Sequence, residues 1–184
     1  MGRLWSPIAA VTSHWQGKSN AQIAVAIAAA SIVPDMPRVL LQIYKTNYSH
    51  DLIYNSGCFA LNFLRQNQLE LINDFGLVSG RDRDKLLGVA HAPRATGSPV
   101  LDDCWGFLDC RVVNAMDGGD MTCFLGDVLD GETLSQAEPL YWRDARREIP
   151  AAWNEEWDRK ISGEIEVSKR RMPNLDFKPW QPKG

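Results

Sequence analysis

The chain reads as a mainly β fold, a β-barrel carrying a few short helices. Three observations predict it. Apolar runs of strand length recur, clearest at Val39-Leu40-Leu41-Gln42-Ile43-Tyr44 and Cys58-Phe59-Ala60-Leu61-Asn62-Phe63-Leu64. A hairpin signal, Met116-Asp117-Gly118-Gly119-Asp120, joins two long strand-like segments. No repeated strand–long-helix unit appears, which argues against a doubly wound sheet. Short strands, hairpin turns and few helices point to a barrel.

Taken in order, Ile8 to Ser13 reads as a first strand and Gln16-Gly17-Lys18-Ser19-Asn20 as a turn. Gln22 to Ser31 carries two opposed signals. Its alanines favour a helix, and its place between turn residues and Val33-Pro34-Asp35-Met36-Pro37 favours a strand. Propensity alone predicts a helix there. Val39–Tyr44 and Phe59–Leu64 are predicted strands. Between them, Lys45 to His50 leads into a short helical pattern ending at Ser56-Gly57. Asn67 to Phe75 places Leu69, Leu71, Ile72 and Phe75 near helical spacing, with Gly76 just beyond as a stop. Ser79 to Gly88 reads as a polar loop entering a short helix, and Thr96-Gly97-Ser98-Pro99 as a turn. Trp105 to Ala115 and Met121 to Leu129 are predicted strands flanking the hairpin.

The composition changes from Glu138 onward. Trp142, Trp153, Trp157 and Trp180 fall in a charged, proline-punctuated tail, with a short helix predicted over Ala151–Ile161. Aromatics in such a tail must cover something, here the barrel surface or a partner subunit. The expected organisation is a barrel domain over residues 1–142 and an extension over residues 143–184.

Bulk properties exclude several classes. At 184 residues and 45% apolar content, the chain forms one real core with an appendage. A net charge of −3 argues against nucleic-acid binding, which needs a positive face. The longest apolar stretch, Ile23 to Val33, is far short of a membrane span. The N-terminus has one Arg and no apolar segment with a small-residue cleavage site, so no signal peptide is expected.

The four cysteines form no CxxC pair and the three histidines are scattered, so no metal site is expected. Buried thiols in a reducing cytoplasm are the simple reading of the cysteines. No paired carboxylates, GxSxG or P-loop occurs, and no side chain is assigned a catalytic role.

The segment that carries chemistry is Lys45-x-Asn47-x-Ser49. A strand that delivers a lysine, an asparagine and a hydroxyl to a helix start resembles a phosphate seat. Backbone N–H groups there lack partners and carry partial positive charge. The plain alternative is that Asn47 or Ser49 caps the helix and Lys45 is solvated. Ser79-Gly80-Arg81-Asp82-x-Asp84-Lys85 is a second polar entry. Either Arg81 or Lys85 reaches a ligand phosphate or ring edge, or this is a solvated helix face.

Six ordered segments together resemble the flavin reductase-like proteins, FMN-binding split β-barrels. They are Val11-Thr12-Ser13; Ser19-Asn20-Ala21-Gln22 through Ser31 with Pro34 and Pro37; Lys45 to His50; Ser56-Gly57-Cys58-Phe59 through Leu64; Phe75-Gly76 through Lys85; and the pair Leu108–Val112 with Phe124–Val128. The resemblance covers roughly residues 7–142. It implies a closed barrel, a homodimer and FMN near the subunit interface. It also implies strand rather than helix for Gln22–Ser31.

By the same resemblance, Lys45, Asn47 and Ser49 hold the FMN phosphate. Asn20, Ala21, Gln22, Val25, Ala26 and Ser31 line the ring, in part through backbone groups. Arg81 and Lys85 are further candidates for a flavin or nicotinamide phosphate. The implied reaction passes hydride or electrons through FMN N5, from NAD(P)H or another donor, and the cofactor carries the chemistry.

Two departures bear on this. Relatives commonly carry threonine, serine or asparagine where this chain has Ile23, Val25 and Ala26. Many also read Gly-Asp-His where this chain reads Gly119-Asp120-Met121, and methionine cannot donate a hydrogen bond or carry a proton. FMN binding is therefore better supported than NAD(P)H-driven flavin release. The alternatives are a non-catalytic FMN-binding or electron-carrier protein, and a split barrel that has lost flavin and binds another ligand.

Overall fold

A computed structural model describes residues 6–183. Met1 to Trp5, part of the segment read above as carrying no signal peptide, lie outside the described residues. Seven strands form one antiparallel sheet. They are β1 (Ala9–Trp15), β2 (Lys18–Ala24), β3 (Ile27–Ala29), β4 (Arg38–Tyr44), β5 (Cys58–Phe63), β8 (Gly106–Asp117) and β9 (Met121–Thr133). The remaining two, β6 (His91–Pro93) and β7 (Pro99–Leu101), make a small ladder. The order in the large sheet is β2-β1-β5-β8-β9-β4-β3.

The two outer strands of that order, β2 and β3, are consecutive in the chain and separated only by Val25 and Ala26. The sheet therefore begins and ends on one bent segment, which curls it into a half-barrel. At the bend, Gln42 N donates to Ala26 O at 3.0 Å. The helix that propensity predicts over Gln22–Ser31 is thus replaced by strand. Gln22, Ile23 and Ala24 pair with Val11, Ala10 and Ala9, and Ile27 to Ala29 pair with Leu41 to Val39. Two ladders on a short segment outweigh the few tenths of a kcal/mol that alanine helix propensity supplies.

Alternation along the strands builds two cores. Ala9, Val11, Leu41, Ile43, Phe59, Leu61 and Phe124 point into the barrel. Ile8, Ala10, Ala60 and Leu64 point the other way, against Phe75, Leu86, Leu101, Leu140 and Ile149. Strands β1 and β5 are covered on both faces, which is why they read as continuous apolar runs rather than alternating ones.

Helix α1 (Tyr48–Ser56) ends at Gly57, whose φ of 71° is the left-handed conformation that lets its N–H cap Ile53 O. The predicted helix over Asn67–Phe75 is a single turn, α2 (Glu70–Ile72), that widens into a π-helical turn, Asn73–Leu77. Gly76 lies inside this π-turn rather than beyond it.

The short helix expected within Ser79–Gly88 does not form. Local side chains take over the backbone groups instead: Ser79 Oγ accepts from Arg81 N (3.2 Å) and Asp84 Oδ1 from Leu86 N (2.9 Å). Leu86 is thereby delivered to the outer core.

The C-terminal region is more helical than expected. Helix α3 (Trp142–Glu148) is followed by α4 (Ala151–Arg171), 21 residues where a short helix over Ala151–Ile161 is predicted. Lys169, Arg170 and Arg171 in its last turn complement the helix dipole. The 142/143 division falls at the first turn of α3, and Ala145 and Ile149 join the outer core. No helix among the described residues is long and apolar enough to cross a membrane.

Candidate functional site

A cavity of about 320 Å³ lies where the bend between β2 and β3 meets the start of α1. That is the low end of the range for small-molecule sites. Its walls are Asn20, Gln22, Val25 and Ala26 on one side and Thr46, Asn47 and Tyr48 on another. The turn Ser79–Arg81, the π-turn at Phe75-Gly76, Met121 and α4 complete it.

The start of α1 faces the cavity, with Asp51 in its first turn. Asn47 occupies the N-cap position with extended backbone (φ −78°, ψ 141°), yet its side chain makes no capping bond. The first-turn N–H groups of Tyr48 and Ser49 have no intrahelical acceptor. Arg81 is fixed beside them. Its Nη1 donates to Thr46 O (3.1 Å), its Nη2 to Asp51 Oδ2 (2.7 Å), and its guanidinium lies 5.2 Å from the Tyr48 ring centroid. A cation held this way contributes charge-assisted hydrogen bonding without further ordering.

The opposite wall holds two lysines. Lys85 Nζ donates to Ala21 O (2.9 Å) and Phe75 O (2.8 Å), and Lys160 Nζ to Gly76 O (2.5 Å). Burial, with the nearby charges of Lys160 and Arg83, draws the Lys85 ammonium down to about 7. Burial also lowers Lys160 and raises Glu164, its cavity-facing neighbour one turn on. Asn20 Oδ1 and Thr46 Oγ1, on cavity-lining residues, are buried without a partner among the described residues. A buried polar atom of this kind calls for a ligand or a solvent partner.

Seven of the residues singled out from the sequence line this cavity: Asn20, Gln22, Val25, Ala26, Asn47, Arg81 and Lys85. Four do not. Lys45 is turned away, with its Nζ 2.5 Å from Asp117 Oδ1, and faces a separate small cavity with His50 and Trp180. Ser49 is fully buried and its Oγ accepts from Asn20 Nδ2 at 2.8 Å. Ala21 is fully buried and only its carbonyl is used, by Lys85. Ser31 lies in a third depression and its Oγ accepts from Val33 N at 3.0 Å. Alternation explains Lys45. It continues from β4, and the ladder sets Tyr44 against Met121 on the cavity side, leaving Lys45 to point the other way.

Sequence reading missed Thr46, Tyr48, Gly76, Gly80, Trp157 and Lys160. The glycines matter by size: a Cβ on Gly80 would collide with Asn20 Oδ1, and one on Gly76 with the Trp157 indole. Trp153, Trp157, Lys160 and Glu164 follow i, i+4, i+7, i+11 spacing, a signal that was present in the sequence but needed a longer helix to be recognised.

Comparison with known proteins agrees with this architecture. The model of the flavin reductase like domain matches residues 1–150. The chain is 30% identical to the high molecular weight rubredoxin of Moorella thermoacetica, over 74% of this chain and 61% of that protein. It thus spans less than two thirds of that relative's length. It is 31% identical to the ferric-chelate reductase (NAD(P)H) of Archaeoglobus fulgidus, over 73% of this chain and 79% of that one. The crystal structure of a nitrilotriacetate monooxygenase component B homolog from Mycobacterium thermoresistibile superposes with a TM-score of 0.68 at 27% identity. That match covers 82% of this chain and 86% of the other. Fold, matched residues and identity agree, and the chain belongs to the flavin reductase like domain family.

Proposed function

We propose that the cavity binds FMN and that the protein is an FMN-dependent oxidoreductase. The observation that carries this is the placement of an anion seat beside a strand break. The N-terminus of α1 and Arg81 form one end of the cavity, and the bend at Val25-Ala26 forms another wall. A flavin mononucleotide needs both a phosphate end and a flat end whose polar edge meets backbone groups. The unpartnered Asn20 Oδ1 and Thr46 Oγ1 fit a polar ligand with donors and acceptors. Bound FMN would supply the redox chemistry, and the chain's own residues would hold and orient it. Asn47, Arg81 and the first-turn N–H groups would take the phosphate. Gln22, Val25 and Ala26 would lie along the ring.

NAD(P)H is the proposed electron donor, in line with the NAD(P)H-linked ferric-chelate reductase among the relatives. A second reading, an FMN-binding electron carrier, is favoured by one observation: Met121, which cannot donate a hydrogen bond, lines the cavity at the hairpin. A homodimer is proposed from the loop between β3 and β4, where Ile32 is 99% exposed and Val33 and Met36 are exposed with it. Light scattering checks the dimer. A reducing cytoplasmic setting is proposed from the free cysteines, and cell fractionation checks it.

Titration of the purified protein with FMN tests the central claim. Quenching of flavin fluorescence is expected, with affinity reduced about tenfold or more in Arg81→Ala. Absence of any quenching would overturn the reading. Anaerobic NADH or NADPH should then bleach the bound flavin; unchanged absorbance with both favours the carrier.

A further inference from the structure

Helix α4 begins at Ala151, immediately beyond the residues matched by the family model, yet it closes the cavity. Its inward stripe starts apolar and turns polar. Trp153 and Trp157 pack on the outer core, and Lys160 and Glu164 then face the cavity.

The helix is fastened on both rims. At the first rim, the Trp157 indole lies against Gly76 and tilted by 49° to the Trp142 ring (centroids 4.7 Å apart), and Lys160 Nζ donates to Gly76 O at 2.5 Å. At the second rim the chain leaves α4 at Met172, packed so closely on Gly119 that a Cβ there would sit 2.9 Å from Met172 Cα. Gly119 belongs to the hairpin whose Met121 lines the cavity.

The segment after α4 is latched far from the site. Asp176 N donates to Asp117 Oδ2 (3.1 Å), Trp180 Nε1 to Tyr54 O (3.1 Å) and Lys183 N to Asn55 O (3.0 Å). Tyr54 and Asn55 lie near the C-terminal end of α1, the helix whose N-terminus forms the anion seat. Trp180 lines a different, smaller cavity.

We propose that residues 151–183 form a latched cover that holds FMN as a resident cofactor, with Trp157, Lys160 and Glu164 as ligand-facing residues. This rests on the FMN reading above. A cover fastened at both rims slows ligand escape more than it alters the contacts that define affinity. Lys160 and Glu164 are partly buried, and while Lys160 Nζ already has Gly76 O, burial raises the Glu164 carboxyl above its ordinary value, so a polar group beside it is favoured. A polar ligand edge beneath α4 would meet Glu164 and the remaining donors of Lys160.

The test is FMN dissociation, followed by flavin fluorescence after dilution or capture, in the full chain and in Trp180→Ala. That variant removes one of the three contacts of the latch, and Trp180 is not among the residues that line the cavity. The full chain should retain FMN through gel filtration, and Trp180→Ala should release it about tenfold faster or more. On the full chain itself, FMN should also increase hydrogen-exchange protection across α4. This readout stands if Trp180→Ala fails to fold, as judged by circular dichroism.

Equal dissociation rates, or unchanged exchange in α4 when FMN is bound, would overturn the cover. Tighter FMN binding by Trp180→Ala would also overturn it, because α4 would then be obstructing the site. No FMN binding by either protein would instead sink the FMN reading from which the cover is argued.

Discussion

Lys45 Nζ lies 2.5 Å from Asp117 Oδ1, and this ion pair turns the lysine away from the cavity its sequence position suggests. The same carboxylate also accepts from Gly119 N (2.7 Å) and Asp176 N (3.1 Å), so it joins β4, the hairpin and the C-terminal strap. Burial pushes the Asp117 carboxyl up, but these hydrogen bonds and the Lys45 charge bring it below its ordinary value. A lowered carboxylate pKa contributes stability at neutral pH that is lost as acid protonates it.

Lys45→Ala should therefore act on stability rather than on the cofactor. The expected loss is about 1–3 kcal/mol, with FMN affinity changed less than about threefold. Chemical denaturation and a fluorescence titration read the two effects. A tenfold loss of FMN affinity at unchanged stability would return Lys45 to the phosphate seat.

Gly80→Ala probes the packing of the cavity wall. The added methyl meets Asn20 Oδ1, and moving Asn20 breaks its 2.8 Å bond to Ser49 Oγ. The expected cost is about 1–3 kcal/mol, with FMN affinity reduced about fivefold or more. Wild-type melting together with wild-type titration would contradict this placement of Asn20.

Lys85 gives a pH signature with a definite sign. Its folded value is about 7 against 10.5 for the free side chain. Below the folded value the lysine is charged in both states, and the full cost of burying it applies. Between the two values the unfolded chain binds a proton that the folded chain does not, so this contribution to stability improves as pH rises. The stability of wild type minus that of Lys85→Met should rise from about pH 6 to about pH 9. A difference that is flat or falls across that window contradicts the burial of this amine.

Asn62 tests the other half of the fold. Its Nδ2 donates to Ala10 O (3.0 Å) and Thr12 Oγ1 (3.1 Å), and its Oδ1 accepts from Leu101 N (2.8 Å). Asn62→Ala leaves buried backbone groups on β1 and β7 without partners. A loss of about 2–3 kcal/mol is expected, seen as a lower urea midpoint at unchanged slope. An unshifted midpoint would mean that solvent replaces the amide at no cost.

Local pattern alone pointed to strands β1, β4 and β5, the long β8–β9 hairpin and the stop at Gly57. These rest on periodicity and turn chemistry, which act over a few residues. The bent β2–β3 strand was different: propensity pointed to a helix, and only its ladders with β1 and β4 made it a strand.

The direction of each side chain was likewise a tertiary decision. Lys45 and Asn47 share one motif, but Asp117, 72 residues on, claims Lys45 and leaves Asn47 to the cavity. The covering helix was the least legible part. Its tryptophans showed that the tail must cover something. What they cover is set by Gly76, 84 residues upstream of Lys160, where a missing side chain leaves room for the Trp157 indole. A contact over that separation has no local signature, because neither residue's own neighbours in the chain require it.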